Sequence, residues 1–469
     1  MNPRRRFLRH GSALLATALG ATALGSLRPA RAAEYRALVC LFQYGGNDGI
    51  NTVVPRDAER HAQYAAVRQR LALAASDLVP LDGSDYGLHP ALAALQASWD
   101  AGELAPVFNV GPLNRPLSKA QLRAEPPGSP LVPQGLFSHS DQQIQWEAAS
   151  STSLQPTGWG GRAAATLALA HPVISLGGGS RFGIEPLRTP LVLPGPGEYF
   201  GAYGLSPDEL TWAPAALRKQ ALDALYGEPQ ALHLGEAFRS QQLEAFDLSA
   251  RLADIIAAQP GSALSGSAID AAFAPLVQGG LVQGGLARQL YQIAKLIAQR
   301  GALGGERQLF LATQGGYDTH HGQIAGDPRQ GVHAQLLREL GDAVAAFQRA
   351  MHNLGMADDV VLFTQSDFGR TFAPNATDGT DHGWGNHHLV VGGAVAGARS
   401  YGRFPVLEPG GPDDVGVEPW EQQGRWLPGH GVDQYAATLL RWFGASEGEL
   451  DAILPNLANF GSARGLGFL

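Results

Sequence analysis

Asp48, Asp318, His320, Asp367, Asp381 and His382 are the side chains in this sequence whose types and positions could do chemistry together. Each lies in a Gly-containing turn next to a short apolar run. Leu38-Val39-Cys40-Leu41-Phe42 leads to Gly45-Gly46-Asn47-Asp48, and Leu309-Phe310-Leu311-Ala312 leads to Gly315-Gly316-Tyr317-Asp318-Thr319-His320. Val360-Val361-Leu362-Phe363 leads to Asp367-Phe368-Gly369-Arg370, and Gly379-Thr380-Asp381-His382 precedes Leu389-Val390-Val391. Carboxylates and neutral imidazoles are the ligand set of zinc, manganese or iron, and a bridging carboxylate would hold two such ions a few ångströms apart. Residues 359–393 carry two of the four turns. They read as two buried parallel strands joined by a Gly-rich loop, which is expected to be the active site.

Other polar residues have two readings each. Ser138 and Ser140 stand at the start of a helical pattern beginning near Phe137. Either a nucleophilic or anion-binding serine sits at a helix N-terminus, or the hydroxyls cap the helix, with Ser140 and Gln143 spaced as a capping box. Arg370 could clamp an anion with its fixed fork of donors or bridge to a neighbouring loop. His387 and His388 alternate along a strand, so at most one faces the loop.

The elements that must position these groups are predominantly α/β. Strands are expected at 35–42, 104–110, 172–176 and 308–313 and in the apolar runs Val360–Phe363 and Leu389–Val391, and helices at 57–73, from His89, near Ser138, from Thr157, around Leu336–Met351 and at 432–443. The apolar stripe Leu336, Leu340, Val344, Phe347, Met351 marks one face of the helix between the turns that bear Asp318 and Asp367. The pattern predicts a mostly parallel central sheet flanked by helices, with strand ends carrying the ligands. Residues 205–300 are almost wholly helical in pattern and read as an insertion in a single domain spanning 33–469. The duplication Leu276–Gly280 and Leu281–Gly285 is too short to announce a repeat architecture.

A chain of 469 residues with 45% hydrophobic content can bury a large core, while 60 Gly and 31 Pro imply many tight turns. At the N-terminus, Arg4-Arg5-Arg6-Phe7-Leu8-Arg9, an uncharged run from Gly11 to Leu27 and Ala30-Arg31-Ala32 resemble a cleaved twin-arginine export signal over residues 1–32. The run is too rich in Ala and Gly to make a good membrane anchor, and no later segment approaches spanning length. The expected location is therefore periplasmic or secreted. Removing that leader takes six of the 34 basic residues and no acid, leaving 28 against 42, a formal charge of −14. Such a surface repels nucleic acid. The single cysteine, Cys40, lies in an apolar strand and reads as a buried, unreactive thiol.

The order of these motifs resembles the alkaline phosphatase/sulfatase superfamily. More closely, 45–55, Ser138-His139, Thr157-Gly158-Trp159, 315–320, Asp367-Phe368-Gly369-Arg370-Thr371 and Thr380-Asp381-His382-Gly383 resemble a twin-arginine-exported bacterial family known as domain of unknown function fifteen-oh-one. The resemblance implies an alkaline phosphatase-like fold and one or two divalent ions, zinc first, with manganese or calcium as alternatives. Asp318, His320 and His382 would hold one ion, and Asp48 and Asp367 the second. His139, Asp381 and His387 are further candidate ligands. Ser138 falls in the region of the nucleophile. The implied reaction is hydrolysis of a phosphate or sulfate ester by Ser138 or a metal-bound water, with Arg370 on the anion. The implied partner is a small anionic ester or an envelope glycan. Two departures stand out: Phe368 occupies a position where the superfamily carries an imidazole, and the Asp-to-His spacing at 318–320 is short. They keep open a second reading, a scaffold without catalysis that binds a glycan or protein partner.

Overall fold

The computed structural model describes residues 35–469. The expected leader, 1–32, lies outside the described residues. Nine strands form the main sheet: β1 (Arg36–Gln43), β2 (Leu104–Gly111), β3 (Ile174–Ser175), β4 (Leu191–Val192), β5 (Arg307–Gln314), β6 (Val360–Ser366), β7 (Asn386–Val391), β8 (Tyr401–Gly402) and β9 (His430–Gly431). Their order is β8-β2-β7-β6-β1-β5-β3-β4, with β9 also paired to β2. All pairs are parallel except those that β7 makes with β6 and β2. The architecture is the expected mixed, mostly parallel α/β sheet.

The principal helices are α1 (Ala58–Arg68), α2 (His139–Ala148), α3 (Trp159–Thr166), α4 (Ala213–Gly227), α5 (His233–Ala257), α6 (Gly285–Ala298), α7 (Val332–Asn353) and α8 (Val432–Phe443). Strand β1 shows why they cover both faces. Ala37, Val39 and Leu41 point into a core shared with α6 and α7, while Leu38, Cys40 and Phe42 point into a second core built with α3 and α8. Period-two alternation in a strand apolar on both sides demands two helical layers. Each fully buried Val, Leu or Phe contributes roughly 1.5–3 kcal/mol relative to exposure, which fixes β1 at the centre. Cys40 is buried there, and burial pushes its thiol pKa well up.

Within 205–300 the chain is mainly helical, running from α4 through α5 and a short helix, Ser267–Phe273, to α6. The Lys295 ammonium on α6 is buried and donates to the carbonyls of Ile255, Ile256 and Ala258, capping the C-terminus of α5. The duplicated pentapeptide forms a two-stranded hairpin, with Val277 opposite Val282 and Gln278 opposite Leu281.

One expectation needs correction. The strands flanking the Gly-rich loop are not parallel: Leu362 pairs with Val391 and Phe363 with Val390 in antiparallel register. Parallel neighbours need a crossover element, usually a helix, whereas residues 367–385 contain none and simply return. The start of β7 therefore lies at the same sheet edge as the ends of β1, β5 and β6.

Candidate metal centre

Four turns meet at that edge. Beyond β1, Gly45 and Gly46 adopt φ of +112° and +84°. A Cβ on Gly45 would lie 2.4 Å from Asp318 N, and one on Gly46 would lie 2.4 Å from the Phe368 ring, so only glycine lets the turns after β1, β5 and β6 touch. Gly45 N–H donates to Asp367 Oδ1 at 3.1 Å.

Asp318 after β5 is the hub. Its Oδ1 lies 3.1 Å from His320 Nε2, 3.3 Å from His382 Nε2 and 3.3 Å from His139 Nε2. His139, Asp318 and His382 can each place one ligand atom within 4.8 Å of the others. The same Oδ1 accepts from Arg370 at 2.8 Å. Burial disfavours the Asp318 carboxylate, yet the hydrogen bond and charge of Arg370 outweigh it, and its pKa falls below the ordinary range.

The far nitrogen of each imidazole is held by an acceptor. His382 Nδ1 lies 2.7 Å from the Phe137 carbonyl, His320 Nδ1 2.7 Å from Asp381 Oδ1, and His139 Nδ1 2.6 Å from Asp367 Oδ2. Carbonyl and carboxylate oxygens only accept, so in the neutral rings the protons sit on Nδ1 and all three Nε2 atoms present lone pairs. His320 Nε2 and His382 Nε2 then face each other at 2.8 Å, and His139 Nε2 is buried without a hydrogen-bond partner. Lone pairs aimed together repel unless a cation lies between them. Acceptors behind each ring are also the usual support of histidine metal ligands. In a tetrahedral zinc site with ~2.05 Å bonds, ligand atoms stand about 3.3 Å apart. The three Asp318 spacings match this value, and the His320–His382 spacing is shorter. The triad His139, Asp318 and His382 thus fits a divalent ion.

Local structure explains how His139 arrives. Ser138 is the N-cap of α2, its hydroxyl accepting from Asp141 N–H, and it lies 3.0 Å from Ser140 Oγ. His139 therefore opens the helix and points at the sheet edge. Phe368 supports it from below, with ring centroids 4.7 Å from both His139 and His382. Phe137 at φ +70° turns its carbonyl toward His382 in a conformation rare for a bulky residue, and such strain concentrates at functional sites. Hydrogen bonding to Asp367 raises the His139 pKa, whereas burial lowers that of His382.

The remaining predicted residues have other partners. Asp367 is fully buried, and its oxygens take Gly45 N–H, His139 Nδ1 and Gln143 Nε2 at 2.7 Å. Asp381 orients His320. Asp48 is paired with the buried Arg68, which contacts both oxygens, and accepts from Gln323 Nε2 at 2.6 Å and Asn51 N–H at 3.2 Å. Arg370 is buried and bonded to Gly45 O, Thr380 and Asp318. His387 is buried, its Nδ1 accepting from Asn109 N–H, and His388 packs against Trp146. Arg68 belongs to the site although its type alone does not mark it; its signal is its place four residues after Tyr64 on the one buried face of α1. Gln143, expected to pair with Ser140 in a capping box, donates to Asp367 instead, with Ser138 as the N-cap, and the Phe137 carbonyl carries no sequence signal of its own.

The centre is open. Side-chain exposure is 46% for Asp318, 32% for His320, 29% for His139 and 23% for His382. A ligand set with one solvent-facing side is the arrangement of catalytic rather than closed structural sites. A cavity of about 420 Å3 elsewhere, beside Glu198 and Arg288, includes none of these residues.

Residues 215–418 match a family model described as Protein of unknown function (DUF1501). The matched stretch contains Asp318, His320, Asp367, Asp381 and His382, while Asp48 and His139 precede it. No curated protein matches the chain. Among solved structures, one described as a crystal structure of Ps i-CgsB in complex with k-i-k-neocarrahexaose is similar at a TM-score of 0.33 and 11% identity, covering 91% of this chain and 77% of that chain. No helix among the described residues is long and apolar enough to cross a membrane.

Proposed function

We propose that the protein is an exported, metal-dependent hydrolase of phosphate or sulfate esters, with His139, Asp318, His320 and His382 holding a divalent ion, zinc first. The observation that supports it most is the set of three Nδ1-anchored imidazoles whose Nε2 lone pairs crowd one oxygen of the half-exposed Asp318 carboxylate. A divalent ion bound there supplies Lewis-acid chemistry, polarising an ester oxygen and lowering the pKa of the attacking group. The chain's own residues do the rest. Asp367, Asp381 and the Phe137 carbonyl keep each ring in one tautomer, and Arg370 holds the Asp318 carboxylate ionised in place. Ser138, next to His139 and the N-cap of its helix, would serve as a nucleophile or a donor to an anion. With its donors engaged by Thr380, Gly45 and Asp318, Arg370 acts on the substrate through Asp318 rather than as a free clamp. Export rests on the basic and apolar leader pattern of residues 4–32.

The test is metal analysis of the natively purified protein, followed by a screen with chromogenic phosphate and sulfate monoesters and diesters. Bound transition metal, its loss in His382→Ala and His139→Ala, and hydrolysis that disappears in parallel are expected. A native protein that neither contains nor binds a divalent metal refutes the reading. Metal without any ester hydrolysis moves it to a binding scaffold.

A further inference from the structure

The second ion suggested by the acidic turns does not fit the donors present. Asp48 is 1% exposed and Arg68 is fully buried. Both Asp48 oxygens already meet the guanidinium, and Gln323 Nε2 and Asn51 N–H add one further donor to each oxygen. Arg68 has no room to withdraw, since its other terminal nitrogen donates to Thr371 O at 3.3 Å and Phe372 O at 3.2 Å and its guanidinium lies over the Phe372 ring. An arginine in a protein does not give up its proton, so the Asp48 charge is permanently neutralised. Asp367 is equally occupied, with Gly45 N–H on one oxygen and His139 and Gln143 on the other.

Charge gives an independent argument. Apart from the self-neutral Asp48–Arg68 pair, the ionic groups bonded to the ligand side chains are the carboxylates Asp318, Asp367 and Asp381 and the guanidinium of Arg370. Three negative charges and one positive leave −2. One divalent ion brings this half-buried cluster to zero, whereas a second would leave it at +2 in a medium where like charges repel strongly.

Resting on the functional reading above, we infer that the centre takes a single divalent ion, and that the buried Arg68 guanidinium is the fixed cation of the Asp48 side of the site. Asp48 is then the ion-pair partner of Arg68 and Asp367 the group that orients His139, and neither is a ligand. A hydrogen-bonded chain ties the two halves together: Asp48 accepts from Gln323, Gln323 Oε1 accepts from Thr380 Oγ1 at 2.6 Å, and Thr380 Oγ1 accepts from Arg370 Nε at 3.2 Å. Arg370 does not depend on this link alone, since Gly45 O and Thr380 O also accept from it, and Asp318 is held whether or not the Asp48 end is altered.

The experiment is zinc stoichiometry on the full exported chain. Protein stripped with a chelator is titrated with zinc alone by calorimetry, and metal per chain is measured by mass spectrometry after gel filtration. The expected result is one zinc per chain with a single isotherm, and a zinc Kd within about threefold of the parent in Asp48→Asn. Two tightly held ions per chain, or a Kd raised tenfold or more in a folded Asp48→Asn, overturns the single-ion inference and leaves the hydrolase reading standing. Failure to take up zinc or any other divalent ion overturns both. Because the stoichiometry is read on the unaltered protein, a variant that does not fold leaves the test decisive.

Discussion

Arg68→Met tests the division of labour at the site most directly. The substitution keeps most of the volume of the arginine stem and removes the guanidinium that meets both Asp48 oxygens. Asp48 would remain 1% exposed with only Gln323 and Asn51 N–H as donors, and the carbonyls of Thr371 and Phe372 would lose theirs. Stranding one partner of a buried ion pair costs about 3–5 kcal/mol. An unfolding entropy of ~2.1 cal/mol/K per residue over roughly 435 residues amounts to about 0.9 kcal/mol/K, so Tm falls by about 3–5 °C. Scanning calorimetry of parent, Arg68→Met and Arg68→Met/Asp48→Asn measures this. The double variant, which removes the stranded charge, should recover at least half of the loss. The drop should also be the same with and without saturating zinc, since the pair lies outside the ion's ligand set. An unchanged Tm, a double variant no better than the single one, or a drop seen only with zinc present would refute the assignment of Arg68 as the fixed partner of Asp48.

Two further outcomes follow from buried polar groups elsewhere. His388 is fully buried with both ring nitrogens unpartnered, and burial holds its pKa down to about 3, so it is a neutral core residue. His388→Leu should leave zinc content unchanged and stability equal or higher by about 1 kcal/mol in chemical denaturation; loss of zinc would contradict this. Burial raises the Asp433 pKa to about 7 despite the nearby charge of Arg162. A raised folded-state pKa means that its contribution is complete below about pH 4 and is lost as pH rises through 7. The parent should therefore lose stability across that window relative to Asp433→Asn, by at most about 4 kcal/mol, and parallel pH profiles would refute it.

The sheet edge was legible because a strand buried on both faces is an apolar run, and the Gly-rich turns at its ends mark where side chains of other kinds collect. The direction of β7 was not legible. A run such as Leu389–Val391 looks the same in either orientation, and the discriminating sign was negative, namely the absence of a crossover helix between Asp367 and Gly385. Roles among the carboxylates were hidden for a different reason. Asp48, Asp318, Asp367 and Asp381 are chemically identical in sequence, and what separates a ligand from an orienting group is which donors the fold brings. Asp48 meets a guanidinium twenty residues on, and Asp367 a backbone N–H more than three hundred residues earlier.

Phe368 shows the limit of matching by position. In sequence it stands where an imidazole is expected, and so suggests a lost ligand. In space its ring lies 4.7 Å from both His139 and His382, and the imidazole of His139, from the N-terminus of α2, stands in the cluster that could hold an ion. An aromatic wall cannot donate to Nδ1 or compete for Nε2, so it fixes ring planes without altering tautomers, which Asp367 and the Phe137 carbonyl set. An aromatic side chain at 368 is therefore no sign of a lost imidazole at this cluster: it lines one side of both rings, while their Nδ1 partners set the direction of the Nε2 lone pairs.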